Sequence, residues 1–146
     1  MSSLEAGSTS RKFTLLMVHA HPDDECSGTG GLIARCAEAD HTTVLITCTN
    51  GDRGQVIGLS LNPEESAEDR RALAEVRRGE LEGATKILGL SHLYQFGYSD
   101  SGMEGWESNK LGEVFANAEP GEVAEKIARI IREHQPDVLI TYDKKG

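Results

Sequence analysis

The segment His-Pro-Asp-Asp-Glu at residues 21–25 places an imidazole and three carboxylates within one short stretch of chain. His21 and Asp24 offer one nitrogen and one oxygen donor, a combination that zinc (Zn²⁺), Fe²⁺ and similar divalent ions accept. Such an ion lowers the pKa of its bound water from 15.7 to about 7. Asp23 lies between these candidate ligands and is free to take the proton as that water attacks a substrate. The residue types therefore predict a hydrolytic metal site with Asp23 as its general base.

The apolar run Phe13–His19 directly precedes this cluster and predicts a buried β-strand that ends beside it. Ligands of open α/β sheets bind beyond the carboxyl ends of the strands, where the cluster would lie. The simpler interpretation is a solvated turn with an acidic N-cap before a helix. A histidine beside paired acids at a strand end favours the functional site over that turn.

Strands and helices alternate along the remaining chain, which indicates βαβ units. The further predicted elements are, in order, helix 30–40, strand 42–49, helix 64–88 with Gly89 as its stop, strand 92–96, helix 120–134 and strand 137–142. Residues 97–119 show no periodicity and predict a long loop. Met103 and Trp106 in this loop can cover a substrate, and they are equally explained as satellite packing residues. We therefore predict a Rossmann-like α/β open sheet with mainly parallel strands and helices on both faces.

Polar or glycine-rich segments follow every predicted strand, and a parallel sheet brings them to one edge. Asn50–Gly54 follows the second strand, Gly97–Gly102 the third and residues 143–146 the fourth. Arg53 and Asp100 are candidates to contact substrate oxygens, since the neighbouring glycines let the backbone approach a ligand closely. The same segments are also explained as ordinary turns, with Asp100 as a turn-capping residue.

The composition argues against several function classes. The 146-residue chain carries a net charge of −9 without a basic run, which opposes binding to nucleic acids or anionic membranes. Its apolar runs are shorter than the roughly 18–20 residues of a membrane span. The three cysteines cannot all pair, so we expect reduced thiols and a cytoplasmic protein. Residues 1–12 are polar and predict a disordered leader without a signal peptide, before a single domain at 13–146.

Five segments resemble the LmbE-like, or PIG-L-type, family of zinc-dependent N-deacetylases. They are AHPDDE at 20–25, TNGDRG at 49–54, EVRRGEL at 75–81, GYSDSG at 97–102 and PDVLITYD at 136–143. The pattern is most similar to the mycothiol-pathway deacetylase and amidase branch. The resemblance implies a zinc hydrolase that removes an N-acyl group from an amino sugar, a thiol conjugate or a related small amide. It implies His21 and Asp24 as metal ligands, Asp23 as general base, and Arg77 and Asp100 as contacts of the sugar-like substrate.

The resemblance selects Arg77 rather than Arg78 because of the R-x-x-E spacing between Arg77 and Glu80. The residues alone leave another explanation open, in which both arginines are exposed partners of Glu75, Glu80 and Glu82 on one helix.

In the family, a His-Pro-Asp-His segment after the fourth strand supplies the third metal ligand and a second histidine near the oxyanion. The sequence stops at Gly146 before such a segment, so we expect the N-terminal portion of a longer domain, truncated after its fourth strand. An open strand edge of this kind can pair with another copy to form an oligomer.

Two alternative functions remain open at this point. One is a receiver-like domain that binds magnesium and is phosphorylated on Asp100, although it leaves His21 unexplained. The other is a noncatalytic remnant of the hydrolase fold that only binds a ligand or a partner.

Overall fold

The structure is a computed structural model that describes residues 11–143. Its strands are β1 (Thr14–His19), β2 (Thr42–Thr49), β3 (His92–Tyr98) and β4 (Val138–Ile140). Its α-helices are α1 (Gly30–Glu38), α2 (Ala67–Leu88) and α3 (Pro120–His134).

The four strands form one parallel sheet in the order β3-β2-β1-β4. The chain runs from β1 to β2 to β3 in one direction and then crosses to the other side of β1 to form β4. The direction reverses between β1 and β4, and open α/β sheets form their ligand crevices at such a switch point. The candidate ligands follow β1 directly, so the topology places them at this switch point.

The helices cover both faces of the sheet, because successive side chains of the central strands point to opposite faces and nearly all are buried. One face packs against α1 and α2 through Leu15, Met17, Ile33, Cys36, Leu45 and Leu81. The other face packs against α3 through Leu16, Val18, Val44, Ile46, Cys48 and Ile130. The predicted Rossmann-like sheet with helices on both faces is confirmed.

The ends of α2 show how local residues set a helix. Ser66 caps its start by accepting a hydrogen bond on Oγ from the N–H of Asp69, at 3.1 Å. Glu64 and Glu65, predicted to be helical, belong to the turn before this cap. Gly89 ends the helix in the left-handed conformation, with φ +74°, as predicted.

Two strands differ in length from their predictions. β3 extends to Tyr98, which still pairs with Thr49 of β2 after an irregularity in the register. β4 pairs with β1 only over Val138–Ile140, inside the predicted range 137–142. Beyond this pairing, the side chain of Tyr142 contacts the backbone of β1's exit instead.

Residues 99–119 have more structure than the predicted loop. They contain two 3₁₀ turns, Glu107–Lys110 and Phe115–Asn117, and a single β-bridge joins Ser99 to Val114. The carbonyl of Ser101 accepts hydrogen bonds from Ser108 and Asn109, and its hydroxyl accepts one from the N–H of Ala116. Polar side chains stabilise this segment, and such residues produce no hydrophobic periodicity in the sequence. The sequence pattern therefore could not predict its 3₁₀ turns.

The first ten residues of the predicted leader lie outside the described residues, as do Lys144–Gly146 of the last polar segment. Arg11 forms an ion pair with Asp137 at 2.7 Å, and Lys12 forms one with Asp40 at 3.0 Å. Among the helices of residues 11–143, none combines the length and the apolar character needed to cross a bilayer.

Candidate active site

Hydrogen bonds between the exits of β2 and β3 bring the candidate residues together. Asp52 is buried, and its carboxylate accepts hydrogen bonds from the hydroxyl of Ser99 at 2.8 Å and the N–H of Asp100 at 2.7 Å. Arg53 is also buried, and its Nε donates to the carbonyl of Asp100 at 3.0 Å. The two segments therefore form one polar unit that fixes the position of Asp100. Sequence reasoning gave Asp52 no role, although it lies within TNGDRG.

The turn that carries the candidate ligands has a strained backbone. Asp23 adopts φ +102°, a conformation that costs a non-glycine residue on the order of 1–3 kcal/mol. The carboxylate of Glu25, only 1% exposed, accepts the N–H of Asp23 at 2.9 Å and thereby holds this conformation. Residues 25–29 then form a π-helical turn that leads into α1, and such turns are frequent at functional sites. The sequence identified Glu25 as a third acid but not as a support for Asp23.

Close approach of the β2 exit supports the same turn. Gly51 adopts φ +66°, and a Cβ there would stand 3.2 Å from Cδ of Pro22. Only glycine allows both this conformation and this contact without a shift of the proline ring.

His21 lies between two carboxylates. Its Nδ1 is 3.6 Å from Oδ2 of Asp24, and its Nε2 is 3.4 Å from Oδ1 of Asp100. The carboxylates of Asp100 and Asp24 raise the pKa of His21 to about 10. Although burial opposes it, His21 and the other donors around the two acids hold the pKa of Asp24 and of Asp100 below their usual ranges. A metal ligand must be a neutral imidazole, so a metal at this ring would have to displace its proton.

Asp24 has further donors on one of its oxygens. Its Oδ2 accepts hydrogen bonds from the N–H of His21 at 2.9 Å and from the hydroxyl of Tyr142 at 2.5 Å. Partial burial and the nearby carboxylate raise the pKa of Tyr142, so its hydroxyl stays protonated at neutral pH.

The distances around His21 and Asp24 fit a metal. The 3.6 Å between Nδ1 and Oδ2 is too long for a good hydrogen bond. It is close to the separation of about 3.4 Å between two ligands on one tetrahedral zinc with bonds of about 2.1 Å. Within residues 11–143, no group of three or more His, Cys, Asp and Glu side chains is placed to hold a metal. Among the described residues, His21 and Asp24 are therefore a pair of candidate ligands and not a complete set.

A cavity of about 660 Å³ opens beside this cluster, a size typical of small-molecule sites. The predicted site residues that line it are His21, Asp23, Arg53, Arg77 and Asp100. Its apolar lining comes from Val56, Leu61, Pro63, Met103 and Trp106. The cavity lining thus combines charged groups with carbon surface.

The two adjacent arginines of α2 have different surroundings. Arg77 lines the cavity, and its Nη1 is 3.1 Å from Oδ2 of Asp23. Its Nε is buried and has no hydrogen-bond partner among the described residues. Arg78 forms ion pairs with Glu75 and Glu82 on the exposed surface of the helix. Arg77 also pairs with Glu80 at 3.8 Å, but its side chain is only 20% exposed and lines the cavity, whereas the exposed ion-pair explanation describes Arg78 fully.

The other histidines lie apart from the cavity lining. His19 is buried in β1, with Nε2 3.0 Å from the hydroxyl of Thr29. His134 contacts the hydroxyl of Tyr94 at 2.7 Å, and its ring lies 4.6 Å from that of His92.

Open α/β proteins bind and convert small molecules in the crevice at the switch point of the sheet. The cavity and the paired acids of this chain lie there, which places it in this class. Within that class, the chain belongs to the PIG-L family, described as GlcNAc-PI de-N-acetylase, which it matches over residues 16–146. The resemblance predicted from the five segments is confirmed, and the family match does not support the receiver-like alternative.

Curated relatives carry deacetylase names. One is the 1D-myo-inositol 2-acetamido-2-deoxy-alpha-D-glucopyranoside deacetylase 2 of Saccharopolyspora erythraea. It is 41% identical over 135 residues, which make up 90% of this chain and 48% of the relative. The chain spans about half the length of the curated relatives that it matches.

Solved structures share the fold. The N,N'-diacetylchitobiose deacetylase of Pyrococcus horikoshii matches 86% of this chain and 39% of its own, with a TM-score of 0.61 and 27% identity. The 4-carboxy-2-hydroxymuconate hydratase of Pseudomonas putida KT2440 matches 90% of this chain and 47% of its own, with a TM-score of 0.68 and 23% identity. Because this second enzyme is named for a different reaction, the fold alone does not determine the chemistry.

Proposed function

We propose that the protein containing this chain is a metal-dependent N-deacetylase that hydrolyses the N-acyl amide of an amino sugar. The observation that carries the proposal is the spacing of His21 and Asp24, 3.6 Å apart, beside the carboxylate of Asp23 at a cavity. Membership of the PIG-L family and relatives named as deacetylases support the reaction class.

His21 and Asp24 are the residues that would hold the metal, which we propose to be zinc or another divalent ion such as Fe²⁺. When bound, the metal supplies a water of lowered pKa and an electrophile for the acyl oxygen. Asp100 contacts Nε2 of His21, so it orients the ring and leaves Nδ1 on the side of Asp24.

Asp23 is the proposed general base. Arg77 contacts Oδ2 of this carboxylate, and we assign the transfer of the water's proton to Oδ1. The strained backbone of Asp23, held by Glu25, keeps the carboxylate at the cavity. A base placed in this way contributes roughly 10²–10⁴-fold to the rate.

Arg77, Arg53 and Asp100 are the proposed contacts of the substrate. Arg77 lines the cavity with its side chain 20% exposed, and a sugar oxygen there can contact its guanidinium. The Nε of Arg53 donates a hydrogen bond to the carbonyl of Asp100. Arg53 also lines the cavity, where a substrate oxygen can contact the rest of its guanidinium. The apolar residues in the cavity lining suit the carbon face of a sugar or of a thiol conjugate.

The cellular setting follows from the composition. Three free cysteines support a reducing compartment, and we propose the cytoplasm. The net charge of −9 favours a small-molecule substrate over nucleic acid or an anionic membrane.

The test uses the purified protein, with zinc content measured by atomic spectroscopy and turnover by release of free amine from N-acetylglucosaminides. We expect one zinc per chain, which His21→Ala and Asp24→Ala remove. Asp23→Asn should retain the zinc and lose at least about 100-fold in turnover. His92→Ala, outside the cavity lining, is the matched control and should keep both. Full activity of Asp23→Asn, or zinc retained by both ligand variants, would contradict the proposal.

A further inference from the structure

The side chain of Tyr142 continues the contact between β1 and β4 after their backbones separate. The two strands pair from Leu15 with Val138 to Met17 with Ile140, and the pairing ends there. Two residues further along β4's exit, the hydroxyl of Tyr142 accepts a hydrogen bond from the N–H of Ala20 at 2.9 Å. The side chain of Tyr142 thus accepts a hydrogen bond from a backbone N–H directly before residues 21–25, which we call the ligand turn.

The direction of the second hydrogen bond of this hydroxyl is fixed. A backbone N–H can only donate, so the oxygen of Tyr142 is the acceptor toward Ala20. The hydroxyl proton is therefore available to Asp24, whose Oδ2 lies 2.5 Å away. A hydroxyl that donates to a carboxylate at this distance forms a charge-assisted hydrogen bond, among the stronger ones in proteins.

This hydrogen bond acts on a proposed metal ligand. With the N–H of His21 at 2.9 Å and the hydroxyl of Tyr142, Oδ2 of Asp24 has two donors that fix the plane of the carboxylate. Tyr142 is not among the residues that line the 660 Å³ cavity in the described part of the chain. Its hydroxyl therefore contacts the proposed metal ligand Asp24 and not the cavity in which the substrate would bind.

We infer that Tyr142 is a positioning residue for the metal: its hydroxyl orients the carboxylate of Asp24 and joins β4 to the ligand turn. The inference rests on the proposed function, because it requires Asp24 to bind a metal. Partners that orient a metal ligand typically change metal affinity by roughly 10–100-fold when they are removed.

The variant Tyr142→Phe isolates the hydroxyl. The ring contact with His19, at 5.8 Å between centroids, is open to phenylalanine as well, and the residue is 41% exposed. We therefore expect the variant to fold with little change in Tm. Tyr94→Phe is the matched control, because its hydroxyl contacts Glu133 and His134 instead of Asp24.

The experiment measures the zinc Kd of the purified protein by competition with a chromophoric chelator, and kcat at saturating zinc. We expect Tyr142→Phe to raise the zinc Kd roughly 10–100-fold while kcat at saturating zinc stays within about threefold. Tyr94→Phe should leave both unchanged.

The outcomes separate this inference from the proposed function. If the unmodified protein binds no zinc, or if Asp24→Ala binds it equally well, the proposed function fails. If the unmodified protein binds zinc through Asp24 and Tyr142→Phe matches its Kd within twofold, only the role of Tyr142 is overturned. An equal loss of affinity in Tyr94→Phe would show a general structural effect and would overturn it too.

Discussion

The ligand turn at residues 21–25 and the loop at residues 99–119 are both irregular, yet they are stabilised in different ways. The ligand turn carries a strained residue, Asp23, that a buried carboxylate holds in place. The loop is held by hydrogen bonds of Ser101 and its neighbours, and its left-handed positions are glycines. Of these two segments, only the ligand turn places a non-glycine residue at a strained φ, and it does so beside the proposed chemistry.

The largest effect is expected at the support of the ligand turn. Glu25→Ala leaves the N–H of Asp23 without its buried acceptor, which should lower the free energy of unfolding by roughly 1–3 kcal/mol. Turnover should fall at least about 100-fold because the general base loses its position. Urea unfolding and amine release measure the two effects. Glu25→Gln keeps an acceptor oxygen and should retain most of the stability; an equal loss in both variants would refute this role.

A smaller effect is expected in the relaxed loop. Ser101→Ala removes the acceptor of the N–H of Ala116, and should lower the free energy of unfolding by about 0.5–1.5 kcal/mol. The zinc Kd should not change, because Ser101 has no contact with the proposed ligands. A zinc Kd that rises in step with the loss of stability would show that the two regions are coupled.

Relief of the strain itself should stabilise the protein. Glycine accepts φ +102° freely, so Asp23→Gly should raise the free energy of unfolding by roughly 0.5–1 kcal/mol after the entropy cost of glycine. The same change should remove turnover with the carboxylate. Asp23→Asn loses the carboxylate but keeps a side chain, so it should show no such gain. A glycine variant less stable than the asparagine variant would contradict strain at this position.

The smallest effect is expected at Cys48 in strand β2, which lies in the sheet beneath both regions. It is a change of the free energy of unfolding with pH. Burial raises the pKa of Cys48 to about 11, from 9.0 for a free thiol. Because the unfolded chain loses this proton first, the contribution of Cys48 to stability is complete below pH 9 and declines as pH rises toward 11. Between pH 7 and pH 9.5 we expect the free energy of unfolding of the unmodified protein to fall by about 0.5–1 kcal/mol more than that of Cys48→Ala, as measured in urea titrations.

Local sequence signals predicted the elements with strong patterns. The bounds of β2 and α3 agree with their predictions, since a run of β-branched residues defines one and a proline at the first turn defines the other. The same signals missed the 3₁₀ turns of residues 99–119, whose stabilising hydrogen bonds join polar side chains.

The candidate site was predictable in composition but not in its contacts. The motif at residues 21–25 identified His21, Asp23 and Asp24 by type and spacing alone. The contact of His21 with Asp100 depends on tertiary packing that local patterns do not contain. The hydrogen bond from Asp23 to Glu25 is local, but the residue types do not reveal the positive φ of Asp23 that it accompanies. Which of two neighbouring arginines faces the cavity likewise depends on how α2 packs on the sheet.

The hydrogen bond between Tyr142 and Asp24 joins residues that are 118 positions apart. During synthesis on the ribosome, the ligand turn emerges long before β4, and it cannot gain this bond until β4 has docked on β1. The ligand turn therefore gains its hydrogen bond from Tyr142 late in folding, since contacts of such long sequence separation form slowly. A nascent chain that holds only β1, α1 and β2 already contains His21 and Asp24 but lacks the hydroxyl that orients one of them.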